Sequence, residues 1–304
     1  MYHYVRPFSE DFPYLKNLSF DNFKKQLDYF NKEFGFVKKD EFVDGFNGKT
    51  LPQGVVLTFD DGFSCHYDFV FKELKKRDLW GIFYIPTQPY TQGQLIDVHR
   101  IHVLLSKHDP KKLYDFLIDI LEDSFIEKDK INEFRNKTYT RQKNDEYTKF
   151  IKNTLNYYIS YQFRNSIINL LMGKFVPNEN EIFEKYYLTK NQILEMHESG
   201  MVIGSHTVNH PVMSKLNYQD QKSEIKDSFQ FLKSVTKNFE HKTFCYPYGG
   251  FHSFTNQTER ILEKEKCLYS FNVESRDIDI NDVRLRPQSL PRYDCNEFPF
   301  GKVS

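Results

Sequence analysis

The octapeptide Val55 to Gly62, VVLTFDDG, constrains the fold more than any other stretch of this chain. Val55, Val56, Leu57 and Phe59 are β-branched, aliphatic or aromatic, and a short apolar run closed by a turn signal is how a strand buried on both faces reads. It stops on two carboxylates, Asp60 and Asp61. Neighbouring side chains of a regular strand point to opposite faces, so this pair can share one site only where the pleat has ended and Gly62 lets the backbone turn. Two ionised carboxylates so close repel each other. A bound cation relieves the repulsion, with one oxygen as ligand and another free to take a proton. A plain Asp-Gly turn after a core strand has the same spelling.

Two further stretches repeat the theme of a strand ending on polar or turn residues. Ile203 to Pro211, IGSHTVNHP, brings His206 and His210 after an apolar run. Two imidazoles four residues apart can reach one ion, on a helical turn or in a tight loop closed by Pro211. A bare HxxxH is also a common surface or core pattern. Thr243 to Gly249, TFCYPYG, is again a strand-like run broken by Pro and Gly.

TFDDG, then HTVNHP, then FCYPYG, in that order between Val55 and Gly249, resemble the motifs of the polysaccharide deacetylases, the NodB-homology carbohydrate esterases. The resemblance implies a metal ion on Asp61, His206 and His210, with Asp60 as general base. It also implies that the backbone N–H of Tyr248, after the motif proline Pro247, faces the developing oxyanion. The sequence departs from the common pattern twice. Where many members carry an arginine that pairs with the base, five residues before Pro247, stands Lys242, which can neutralise Asp60 but cannot fork to it. No histidine follows His252, so the usual C-terminal histidine is missing. A circularly permuted branch, resembling the poly-N-acetylglucosamine deacetylases, has that histidine in an N-terminal YH segment, which Tyr2-His3 matches. His3 is therefore the expected general acid.

The rest of the chain supplies context. Ser19 caps a helix with Phe20, Phe23, Leu27, Phe30 and Phe34 at helical spacing, closed by Gly35. Strand and helix then alternate, which implies parallel strands. Thr189 with Gln192 forms a capping box, Asn217 caps a further helix, and Val283 to Asp294 alternates as a last strand would. Six or seven βα-like units with chemistry at strand ends fit a β/α barrel. The resemblance implies the family's distorted, incomplete (β/α) barrel. A doubly wound sheet ranks second, since no glycine-rich phosphate loop follows any strand. The expected organisation is one NodB-homology barrel domain over residues 1–304, with a largely helical insertion at about 91–187 rich in Lys, Asn, Asp, Tyr and Ile. That insertion is expected to wall the substrate groove, because loops on a rigid scaffold carry specificity. It contains DVHRIH, where His99 and His102 read as helix packing or a substrate contact ahead of a second metal site.

Composition narrows the function classes. Lys+Arg and Asp+Glu balance at 42 each, so no net field draws the protein to nucleic acid or anionic lipid. Four cysteines show neither metal spacing nor disulfide-framework density and read as apolar fillers in a reducing compartment. With no leader-like start and no long apolar run, a cytoplasmic location without an integral membrane segment is expected. The expected activity is metal-dependent N-deacetylation of an N-acetylated glycan or sugar intermediate. Its cofactor is one divalent ion, Zn²⁺ first, with Co²⁺, Fe²⁺ or Ni²⁺ also accommodated. Deformylation or another C–N hydrolysis, and a silent glycan-binding barrel, are the alternatives.

Overall fold

The computed structural model describes residues 1–303 except Lys49, Arg141 and Glu240. It divides into two compact units: 1–8, 17–92 and 185–304 form the first, and 9–16 with 93–184 the second. The first unit is the distorted, incomplete (β/α) barrel. Its strands β1 (Thr58–Asp60), β2 (Ile82–Ile85), β3 (Val202–Ser205), β4 (Thr243–Cys245) and β5 (Tyr269–Phe271) run parallel in chain order. All of them are buried on both faces, so apolar side chains do not alternate with exposed polar ones along any strand.

Register decides which side chains face inward. Thr58 pairs with Ile82 and Ile82 with Val202, while Asp60 pairs with Tyr84 and Tyr84 with Gly204. One face thus carries Ile82, Tyr84, Val202, Cys245, Tyr269 and Phe271, which pack with Leu290 as an inner cluster. The other face carries Phe59, Phe83, Ile85 and Ile203, which pack against Phe23, Leu27 and Phe30 of helix Phe20–Glu33 and against Ile193, Met196 and Leu232. Asp60 belongs to the inner face at the end of β1. Gly204 is required there. A Cβ would stand 2.4 Å from the Tyr84 ring, whose hydroxyl is hydrogen-bonded to Thr243 Oγ1 at 2.8 Å.

Short segments extend the sheet at both edges. Tyr2 N–H donates to Thr58 O and Asp60 N–H to Tyr2 O, both at 2.9 Å, so the Tyr2 segment lies parallel to β1. At the far edge Leu290 bridges Phe271 in parallel, and Cys295 N–H donates to Met1 O across the gap at 3.1 Å. The last strand expected over Val283 to Asp294 is not formed. Asp279 instead caps a helix at Ile280–Leu285, Pro287 opens a tight turn at Pro287–Ser289, and only Leu290 pairs with the sheet. The alternation of VRLRPQSLPRYD imitates a strand, but a local cap and a proline without an N–H outcompete it.

The second unit is helical, built from Asp97–Lys107, Pro110–Ile120, Lys128–Phe134, Glu146–Asn153, Tyr161–Phe175 and Glu179–Phe183. His99 is buried and its ring lies 5.8 Å from that of His102. Among the described residues no cluster of three metal-ligating groups includes either histidine. No helix of the described residues is long and apolar enough to cross a membrane.

Candidate active site

The end of β1 separates the two aspartates. Asp60 keeps extended geometry, whereas Asp61 takes φ 83° and Gly62 φ 65°, so the turn begins on Asp61 itself. That rotation brings Asp61 to the β3 side. Asp61 Oδ1 lies 3.5 Å from His206 Nε2 and 3.5 Å from His210 Nε2, and Asp61 Oδ2 lies 4.0 Å from His3 Nε2. Asp61, His206 and His210 are all buried, while the His3 side chain is 41% exposed. The two histidines reach Asp61 from a tight loop, not a helix. Thr207 and His210 both have positive φ, and the Thr207 hydroxyl accepts the His210 N–H at 2.9 Å. Tyr248, also at positive φ, sets its ring 5.0 Å from that of His210.

Backbone groups fix the imidazoles. A carbonyl only accepts, so the 2.7 Å contact of His206 Nδ1 with Cys245 O places the proton on Nδ1 and leaves Nε2 as a lone-pair donor. Burial also lowers the His206 pKa, which favours the neutral, ligating form. His3 is held through its own backbone, because its carbonyl accepts from His66 Nε2 at 2.7 Å. His66 is packed among Phe59, Phe63 and Phe83, on the wide turn His66–Phe71 that follows the DDG motif.

Burial pushes the His66 imidazole down to about 4, below the ordinary 6.5 of an unfolded chain. A histidine depressed in this way stabilises the fold fully above pH 6.5 and loses that contribution as pH falls toward 4. At pH 5 the loss amounts to roughly 2 kcal/mol. Urea melts at pH 7 and pH 5 should therefore show a smaller acid loss in a His66→Gln variant than in the parent. Equal losses would mean that His66 already carries a proton in the fold.

Asp60 has a different partner from the one its motif suggested. Arg292 forks onto it, Nη1 to Oδ1 and Nη2 to Oδ2, each at 2.9 Å. The guanidinium is then spent on Thr58 Oγ1, Asn272 O and Cys245 Sγ, and lies over Tyr84 and Phe271 inside the barrel. Burial alone would raise the Asp60 carboxyl, but Arg292 outweighs it and holds the group well below the usual carboxylate range. Lys242 takes no part, since its Nζ donates to Glu265 O at 2.9 Å over the Phe229 ring. Sequence reasoning missed Arg292. The only cue was an arginine within LPRYD, 232 residues from its partner.

Among the described residues, two trios place ligand atoms within 4.8 Å of one another: Asp61, His206, His210 and Asp60, His206, Cys245. The second trio does not suit a cation. Both Asp60 oxygens are engaged by Arg292, and burial keeps the Cys245 thiol protonated by raising its pKa well above the ordinary value. The first trio fits one. It offers one carboxylate and two imidazoles, neutral at His206, with the open side toward His3 that a catalytic rather than a closed structural site needs.

Residues 145–266, which hold His206, His210 and the PYG turn, match the family model described as Polysaccharide deacetylase. Over that stretch the chain resembles the polysaccharide deacetylases. A curated relative, “Putative polysaccharide deacetylase YxkH” of Bacillus subtilis (strain 168), is 35% identical over 94 residues, which is 30% of this chain and 31% of that protein. The chain thus aligns with about a third of that relative's length. Among solved structures, the Streptococcus pyogenes deacetylase PplD, in complex with acetate, superposes with a TM-score of 0.58 at 18% identity, covering 96% of this chain and 88% of that one. IcaB from Ammonifex degensii gives 0.56 at 20% identity with the same coverage. At these identities the likeness is one of fold, and Asp60 and Asp61 lie outside the stretch that matches the family model.

Proposed function

We propose that the protein is a metal-dependent N-deacetylase acting on an N-acetylated glycan or sugar intermediate. The observation that carries this reading is the convergence of Asp61 Oδ1 with the Nε2 atoms of His206 and His210, each at 3.5 Å, beside a second, separately held carboxylate. Asp61, His206 and His210 would hold the ion, Zn²⁺ by their mixed oxygen and imidazole character, with Co²⁺, Fe²⁺ or Ni²⁺ also accommodated. When bound, such an ion polarises an acyl oxygen and acidifies water.

The remaining roles fall to side chains and backbone. Asp60 takes the proton of the attacking water, and Arg292 keeps it ionised and aimed. The Tyr248 N–H, after Pro247, donates to the oxyanion as the acyl carbon becomes tetrahedral. His3 gives a proton to the departing sugar amine from the open side of Asp61. The match of residues 145–266 to the polysaccharide deacetylase model supports the substrate class, and acetate in complex with the neighbour PplD is the product this reaction requires. Four free, buried cysteines suit a reducing compartment, so a cytoplasmic nucleotide- or lipid-linked sugar is the class to try first.

The test is acetate release from N-acetylated oligosaccharides and nucleotide sugars, with formate measured in parallel, using Zn²⁺-loaded protein. Formate without acetate would make it a deformylase, and neither product from any substrate would end the enzymatic reading. His3→Ala should lower kcat by about 10²-fold, the lower end for a general acid, because water reaches a half-exposed site and substitutes in part. The loss should be smaller on activated esters, whose leaving group needs no proton.

A further inference from the structure

The loop that carries His206 and His210 is gripped from outside by a buried carboxylate. Glu224, on helix Tyr218–Thr236, is 9% exposed, and its Oε2 accepts the backbone N–H groups of Val208 and Asn209 at 2.8 Å each, while Oε1 accepts from Asn209 Nδ2. One turn further on, Ser228 Oγ contacts Ser205 Oγ at 2.6 Å, so the same helix also holds the residue before His206. The backbone takes positive φ at Thr207, between these grips, and again at His210, just after the second. Neither residue adopts that region readily, since a side chain there crowds its own carbonyl. The loop conformation that points both imidazoles at Asp61 thus needs an external partner. A carboxylate taking two adjacent backbone N–H groups supplies charge-assisted bonds, stronger than neutral ones, at the apex of the turn.

We propose that Glu224 is a positioning residue that sets the affinity of the Asp61, His206 and His210 site for its metal ion by holding residues 207–210 in the ligating conformation. The inference rests on the metal-site reading above, but not on which amide is hydrolysed. It concerns a residue that touches no ligand atom and acts through peptide groups. An alanine at this position leaves two backbone N–H groups, on half-buried Val208 and exposed Asn209, without their charged acceptor and lets the loop relax toward negative φ. Glutamine keeps one oxygen for those N–H groups, loses the charge, and turns an NH₂ toward the Asn209 amide, which is itself a donor.

The test measures Zn²⁺ affinity by chelator competition on the parent, Glu224→Ala and Glu224→Gln, each corrected for folded fraction by circular dichroism. Loss of an outer partner of a metal ligand costs about 10- to 100-fold in affinity. Glu224→Ala should show a loss of that order, with Glu224→Gln between it and the parent. A residue that only supported the fold would lower the melting temperature of the metal-free protein and leave the affinity of the folded fraction alone. Affinity within about twofold of the parent in both variants overturns the proposal, and so does a parent that binds no Zn²⁺, whatever its acetate release. If Glu224→Ala does not fold, the Glu224→Gln affinity decides by itself. Failure of the deacetylase reading looks different, because it removes acetate release from the parent and leaves the order of Zn²⁺ affinities in place.

Discussion

Replacing Asp60 with Asn should lower kcat on an N-acetylated substrate by about 10⁴-fold, the upper end of what a positioned base contributes, while Zn²⁺ remains bound. The expectation of a large effect comes from burial. Asp60 is 2% exposed, so no bulk water stands ready to replace it as proton acceptor, in contrast to the half-exposed His3. Retention of the ion follows from geometry, because Asp60 is fully engaged by Arg292 and is not part of the fitting trio. His206→Ala should give the opposite pattern and shed the ion. The assay must be run well below the variant's melting temperature, because a neutral amide at this position leaves the Arg292 charge without its counter-charge. An Asp60→Asn enzyme that turns over at a tenth of the parent rate or better would remove Asp60 from the chemistry.

The largest effect on stability should come from Arg292→Met. Breaking a buried ion pair by removing one partner costs about 3–5 kcal/mol, since the remaining charge is left in a medium that cannot solvate it. Here the stranded group is Asp60, whose two oxygens lose both 2.9 Å donors at once. The double variant Asp60→Asn with Arg292→Met removes both charges, and its cost should be well below the sum of the two single changes. Denaturant melts on the four proteins close the cycle. Strict additivity would show that the pair contributes nothing as a pair and that each residue is held by its other neighbours.

What could be read from the sequence was local or came in motifs. The helix caps at Ser19, Thr189 with Gln192, and Asn217 all lie where the spacing placed them, because a cap is satisfied within three residues of itself. The strands were legible as apolar runs but come out shorter. The Val55 to Phe59 run narrows to Thr58–Asp60, with Val55 making only a single bridge to Phe36. The convergence of Asp61, His206 and His210 followed from motif order. Arg292 and Glu224 did not, and for one reason: each acts on groups far away in the chain or on backbone atoms, which leave no residue pattern. The position of Lys242 drew attention to the neighbourhood of Pro247, yet the charge on Asp60 is balanced from the other end of the sheet.

That long-range pairing bears on how the protein is made. Ribosomes add roughly 5–20 residues per second, so β1 leaves the exit tunnel about ten to fifty seconds before Arg292 does. Throughout that interval the carboxylate at the end of the first strand has no guanidinium to meet it and favours water over an apolar interior. The nascent sheet should therefore keep its inner face wet at β1, whereas the outer face needs no such partner and packs against helix Phe20–Glu33. Sealing the centre of the barrel around Asp60 should therefore wait for residue 292, whose guanidinium both neutralises and aims the carboxylate.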